Sequence, residues 1–305
     1  MRNIRFSVSL LVCVAYIFIC HSCSTCSRQQ TVESITIDLA DLDIDSSYVN
    51  MAQKVFYALP TPIEMSILIK SSGVTYQSDL LNDPANASKY LTNQKMAINF
   101  GVYITDLTYA GLFEQSQTVL NYKQAIQQLT EGLGLQSAID PNTMQQLEAN
   151  VHNKNAMLQT ISDTYASCTA SLNESDRYFL TLAMLIGGWV EGMYITTNMI
   201  NGNLTSVEKR MNQLVVDQKL TFDMIWMAMA DLSHIPDVAN LMSELSELAH
   251  LFDKVSVNQM SNTVAPSADG KTSNIVSSNV INVTPEMFTN IKDQIQILRH
   301  NFTKK

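Results

Sequence analysis

A chain of 305 residues that is 46% apolar but only 15% charged, with 10 glycines and 7 prolines, has material for a large buried body and too few turn formers for a many-stranded one. Its net charge of −9 gives it no electrostatic grip on phosphate backbones or anionic lipid, which argues against nucleic-acid binding. Sixteen methionines point the same way as the scarce glycine, since unbranched side chains lose little rotamer freedom in a helix.

The N-terminus reads as an export signal, with Arg2 and Arg5 followed by an apolar run over 6–19. At about fourteen residues the run is short for a membrane span, which needs about 20. Cys20, Cys23 and Cys26 follow. A lipoprotein signal places a small residue before the cysteine that is acylated, so Cys23 after Ser22 fits best and Cys26 after Thr25 second; a plain cleaved signal with incidental thiols is the alternative. No Cys/His pair with zinc spacing accompanies the three cysteines, and Cys168 is alone in the remainder. The expected organisation is a signal peptide over 1–22, an anchor and acidic tether over 23–46, a helical domain over 47–253, a polar loop over 254–283, and a C-terminal helix over 284–305 that packs on the domain.

Within the domain, a short helix is expected over 48–58. Thr61, Pro62 and Glu64 then form a capping box with proline at the first helical position, and Gly73 ends that helix. The loop over 74–86 carries Tyr76, Leu80 and Leu81 and should be packed down. A helical period runs from 87 to about 133. As one helix it would reach roughly 70 Å, so a break is placed at Gln115 and Ser116. Asp140 and Pro141 cap a helix running to about 170, Asn173 caps the next, and Gly202 closes it. Thr205 to Glu208 makes a second capping box for a helix to about 232, and Pro236 opens another to 253. A brief extended piece is expected over 275–283, then Thr284, Pro285 and Glu286 cap an amphipathic helix to about 302 whose inner face carries Ile291, Ile295 and Leu298. The fold class is all-α: a single body of about 8–9 helices in antiparallel hairpins.

Two stretches organise that body. Residues 178–201 are apolar all round, with Gly187, Gly188 and Gly192 and a single acid, Glu191; residues 97–113 repeat the design with Gly101, Gly111 and Asp106. Helices of this kind belong in a core. Their glycines are unfavourable in helix interiors by about 0.5–1 kcal/mol each, so close backbone contact between the two stretches must offset them. A mid-helix acid also disfavours reading 178–201 as a membrane span.

Several strings together resemble a family of all-helical secreted or lipid-anchored proteins common in Bacteroidetes, with no assigned activity: YALPTPIE at 57–64, LLN at 80–82, KY at 89–90, NFGVY at 99–103 with Asp106 and Leu107, and GGWVEG at 187–192. The resemblance covers roughly 48–230 and implies an envelope address and a helical fold. It carries over no catalytic residue.

Chemistry centres on Asp106 and Glu191. Each buried acid must be paired, hydrogen-bonded or protonated. Tyr103 and Tyr109 lie three residues either side of Asp106, and Tyr194 three after Glu191, so the five could line an internal polar site for a cation or small ligand, or an acid/base pair. The alternative is structural: each acid satisfied by a tyrosine, a backbone group or a Lys or Arg. Met224, Met227 and Met229 around Trp226 have a soft-metal composition but fit a packed core better. No catalytic motif, metal centre or cofactor is expected. The function expected is therefore a non-enzymatic binding or accessory protein, lipid-anchored in the cell envelope (outer membrane, periplasmic or surface face), with an envelope protein or small ligand as partner; the runner-up is a small-ligand or cation binder, conceivably an enzyme, using the Asp106/Glu191 interior.

Overall fold

The computed structural model describes residues 61–139, 141–200, 206–259, 263–266, 273–276 and 279–304. The export signal with Cys23 and Cys26, the acidic tether, the helix expected over 48–58, and the capping residues Asp140, Gly202 and Thr205 lie outside the described residues. All described residues belong to one compact unit.

That unit is all-α, as the composition implies. Among the described residues it has nine α-helices: α1 (Pro62–Ser71), α2 (Asn93–Leu112), α3 (Ser116–Gly132), α4 (Pro141–Ala149), α5 (Lys154–Glu174), α6 (Tyr178–Asn198), α7 (Ser206–Asp231), α8 (Pro236–Asp253) and α9 (Pro285–Thr303). The capping box at α1 is complete, with Thr61 Oγ1 accepting from Glu64 N and Glu64 Oε2 accepting from Thr61 N, while Gly73 follows the helix at φ 81°.

Three boundaries differ from the sequence reading. The stretch expected to begin a helix at 87 first makes a 3₁₀ turn, Pro84–Lys89, and the α-helix starts only at Asn93, capped by Thr92. The single helix expected from Pro141 to about 170 is two, because the Asn153 side chain accepts from Ala156 N and starts α5 afresh. Asn173 does not cap α6: it sits in the last turn of α5, where its Oδ1 accepts from Thr181 Oγ1 at 2.8 Å, and α6 begins after Arg177 without a side-chain cap.

The polar loop expected over 254–283 also differs. It holds four short strands, β1 (Ser256–Gln259), β2 (Thr263–Pro266), β3 (Ser273–Val276) and β4 (Asn279–Asn282), paired antiparallel as β1 with β4 and β2 with β3. The pairing nests one ladder inside the other, with a one-residue offset between Gln259↔Asn279 and Thr263↔Val276. β-Branched valine, isoleucine and threonine favour extended pairing; β4 and the end of β3 fall on the extended piece expected over 275–283, whereas β1 and β2 are too short to stand out from a loop.

The core is built on α2 against α6. A Cβ on Gly101 would overlap the Met184 carbonyl oxygen, and one on Gly187 the Ile98 carbonyl, so the two backbones touch where the glycines lie. Thr105 Oγ1 donates across this contact to Gly188 O at 3.1 Å. The other face of the pair is closed by α1: Pro62 lies over Gly188 and Met65 over Gly192, and Ser66 Oγ donates to Thr105 O at 3.1 Å. Trp189 is in the interior, with Nε1 donating to Gln218 Oε1 at 2.9 Å and its ring against Phe222 and Phe252. By length and composition α6 could cross a membrane, but 83% of its most apolar window is buried against the rest of this body.

Candidate functional site

One face of α2 is polar. Asn99, Tyr103, Asp106 and Tyr109 recur at helical spacing, and each holds the segment between α1 and α2, which runs across that face as a strap. Tyr109 Oη accepts from Gln77 N at 3.0 Å, Asp106 Oδ2 accepts from Asn82 N at 3.0 Å, and Tyr103 Oη donates to Asp83 O at 2.9 Å. Asn82 is the hub of the strap. Its carbonyl accepts from Tyr122 Oη of α3 at 2.8 Å, its Nδ2 donates to Tyr90 Oη at 3.0 Å and Asn99 Oδ1 at 3.4 Å, and its Oδ1 accepts from Asn86 Nδ2 at 3.3 Å. A buried amide with all its groups engaged satisfies the hydrogen-bonding demand of a backbone that has no helix to supply partners.

The acids on α2 and α6 come together at this face, and each is fully buried. Glu191 is met by Arg299 of α9 in a bidentate pair, Nε to Oε2 at 3.0 Å and Nη2 to Oε1 at 3.1 Å. Nη2 also donates to Leu80 O at 3.2 Å, so the guanidinium ties the strap to α6, and it stacks on the Tyr194 ring with Cζ 4.6 Å from the centroid. Burial works against the guanidinium's charge, but Glu191 beside it more than offsets that and holds its pKa above the usual arginine value. Asp106 is pushed well above the ordinary carboxyl range, first by burial and then by repulsion from Glu191, with Arg299 and the Asn82 N–H pulling only partly back.

The five residues expected at an internal site are thus all nearby, with different roles from those expected. Tyr103 and Tyr109 do not bond Asp106; they fasten the strap, because an i±3 neighbour on a helix points its hydroxyl past the turn rather than back at a short aspartate. Tyr194 serves Arg299 through its ring. Two side chains of this centre carry no sequence signal of their role. Arg299 directly follows Leu298 on an amphipathic helix, where an arginine reads as solvated surface. Asn82 stands in the LLN string at 80–82, which marks no hydrogen-bonding hub. The Met224, Met227 and Met229 group disperses: Met229 is buried, Met224 half-buried and Met227 69% exposed.

A cavity of about 400 Å³ lies elsewhere, between the α2–α3 and α4–α5 turns, lined by Glu114, His152, Asn153 and Lys154 among others. There Ser116 Oγ and His152 Nδ1 are 3.3 Å apart, and Lys154 Nζ is 3.8 Å from Glu114 Oε1. Asp106 and Glu191 are not among its walls.

The fold and centre define an all-α protein with an arginine-closed carboxyl pair in its core. No family model matches the chain, and no curated protein or solved structure matches it either.

Proposed function

We propose that this chain is a lipid-anchored protein of the cell envelope whose helical body serves as a non-enzymatic binding or accessory module. The observation that carries the reading is that Arg299, from the chain itself, fills the place beside Glu191 that a ligand cation would take, both carboxylate oxygens being engaged. Acids held this way in a packed core organise a scaffold. The apolar signal over 6–19 and the cysteines after it support the anchor. Cys23→Ala abolishes fatty-acid labelling and releases the protein from membranes; labelling that survives in that variant and disappears in Cys26→Ala moves the anchor to Cys26, and labelling indifferent to both removes the anchor from the proposal.

A second reading, a binder of a small polar ligand, rests on the 400 Å³ cavity rather than on the buried acids. Thermal-shift screening against metals and small polar metabolites separates the two. A stabilising ligand whose effect is lost in His152→Ala and Lys154→Ala supports the cavity, and one whose effect is lost only in Glu191→Gln supports the interior.

A further inference from the structure

Asp106 and Glu191 bring two carboxyls to one fully buried place, and the groups that face Asp106 can be named element by element. Its own helix contributes Tyr103 and Tyr109, the strap Tyr76, α6 Glu191, and α9 Arg299. Tyr122 of α3 completes the set, while Tyr90 at the end of the strap faces Glu191 and Arg299. Arg299 is the cation among them, and it is already bidentate on Glu191. Asp106 Oδ2 takes the Asn82 N–H, while Oδ1 receives no hydrogen bond. Two buried carboxylates against one guanidinium leave an uncompensated charge, and the least costly way to remove it is a proton.

We propose that closing α9 over this centre takes up one proton, held on Asp106, so that the C-terminal helix is a pH-gated clasp that tightens as the solution becomes more acid. The inference stands on the charge count and does not depend on the envelope reading above. Protonated, Oδ1 becomes a donor that can point toward Glu191, so the centre is neutral overall: an acid, a carboxylate and a guanidinium. Beside its buried apolar face of Ile291, Ile295, Leu298 and Phe302, the clasp makes further polar contacts. Asn99 Nδ2 donates to Phe302 O at 2.9 Å, Tyr90 Oη to Thr303 O at 3.3 Å, Lys95 Nζ to Asn301 O, and Gln296 Nε2 to Asn198 Oδ1 at 2.9 Å. When α9 lifts, Glu191 loses Arg299, the strap loses its tie at Leu80, and water reaches the acids. Asp106 then titrates like any solvated aspartate, near pH 4 (about 3.9).

The direction follows from proton counts. Burial and the neighbouring carboxylate raise the Asp106 pKa in the closed state. Below the ordinary carboxyl range both states hold the Asp106 proton and its contribution to the clasp is complete. As pH rises from there toward the raised value, only the closed state holds it, and closing weakens by tenfold per pH unit; above the raised value both states are ionised and the dependence flattens.

Hydrogen exchange of the full chain, read on the amides of α9 and corrected for the intrinsic rate, measures this. Above the ordinary carboxyl range the opening constant of α9 should rise with pH, by up to roughly tenfold per unit, until the raised Asp106 value is passed. Asp106→Asn keeps the shape and the acceptor for Asn82 N–H but has no titratable proton, so its opening constant should be level across the same range. A carboxylic-acid carbonyl band that persists in the infrared spectrum of the wild-type protein above the ordinary carboxyl range should be absent from that variant. A pH-independent opening constant in the wild type overturns the proposal, as does a slope that survives in Asp106→Asn. Amides of α2 that open in step with those of α9 at every pH also overturn it, since the proton would then belong to global unfolding and not to a clasp.

Discussion

Helices α2 and α6 have the same design in sequence, apolar all round with glycines and one acid, and the structure uses them differently. On α6 the acid meets a cation: Glu191 takes both arms of Arg299. On α2 the acid meets a backbone: Asp106 holds the Asn82 N–H as one of four polar residues that fasten the strap. The glycines divide in the same way. Gly101 and Gly187 lie where the two helices touch, whereas Gly188 and Gly192 also make room for α1, and Gly111 for the end of Met157 on α5. Two segments indistinguishable by composition thus acquire opposite electrostatic roles from partners far away in sequence, Arg299 being 108 positions beyond Glu191.

Breaking the α6 side should cost most. Arg299→Met leaves Glu191 buried without its cation, and chemical denaturation should show a loss of about 3–5 kcal/mol. The loss should exceed that of Asp106→Asn at neutral pH, because the latter removes a charge that the fold already suppresses. Next comes the contact between the helices. Gly101→Ala sets a methyl against the Met184 carbonyl and should cost about 1–3 kcal/mol or more, while Gly111→Ala meets only the flexible tip of Met157 and should cost clearly less. Equal losses at the two sites would mean that the backbone contact is not what the glycines serve. On the strap, Asn82→Ala removes the side-chain bonds to Tyr90, Asn99 and Asn86 but keeps the backbone bond to Asp106, and should cost about 1–2 kcal/mol by the same measurement. The smallest effect is expected from Gln128→Leu on the exposed face of α3, within about 0.5 kcal/mol.

Much of this fold was legible in the sequence because its signals are local. The caps at Thr61 and Thr284, the proline starts at Pro62, Pro236 and Pro285, and the inner face of Ile291, Ile295 and Leu298 all stand as expected. The adjacency of α2 and α6 was legible for a different reason: glycines in apolar helix interiors demand a close neighbour, and each helix was the other's obvious candidate. What escaped was decided elsewhere. Asn150 to Asn153 break a helical period because an asparagine side chain captures an N–H, a competition that periodicity does not register. The identity of Glu191's partner was hidden for a similar reason. An arginine beside a leucine on an amphipathic helix has the pattern of a surface residue, and only the docking of α9 turns it inward. The strap was read as packed down from its apolar residues, but Asn82, which holds it, carries no pattern of its own.

Because the cation is encoded so late, the centre has an order of assembly in time. During synthesis at about 5–20 residues per second, the chain holds both acids for on the order of ten seconds before Arg299 exists. A nascent chain that packed α2 against α6 in that interval would leave both acids on a face that α9 has not yet covered, in contact with water as when the clasp is open. Each stays hydrated at neutral pH unless it is protonated, so α9 supplies the last term in the folding equilibrium. The core of this protein therefore cannot be finished from its middle outward: the ribosome must reach α9 before the interior becomes electrically complete.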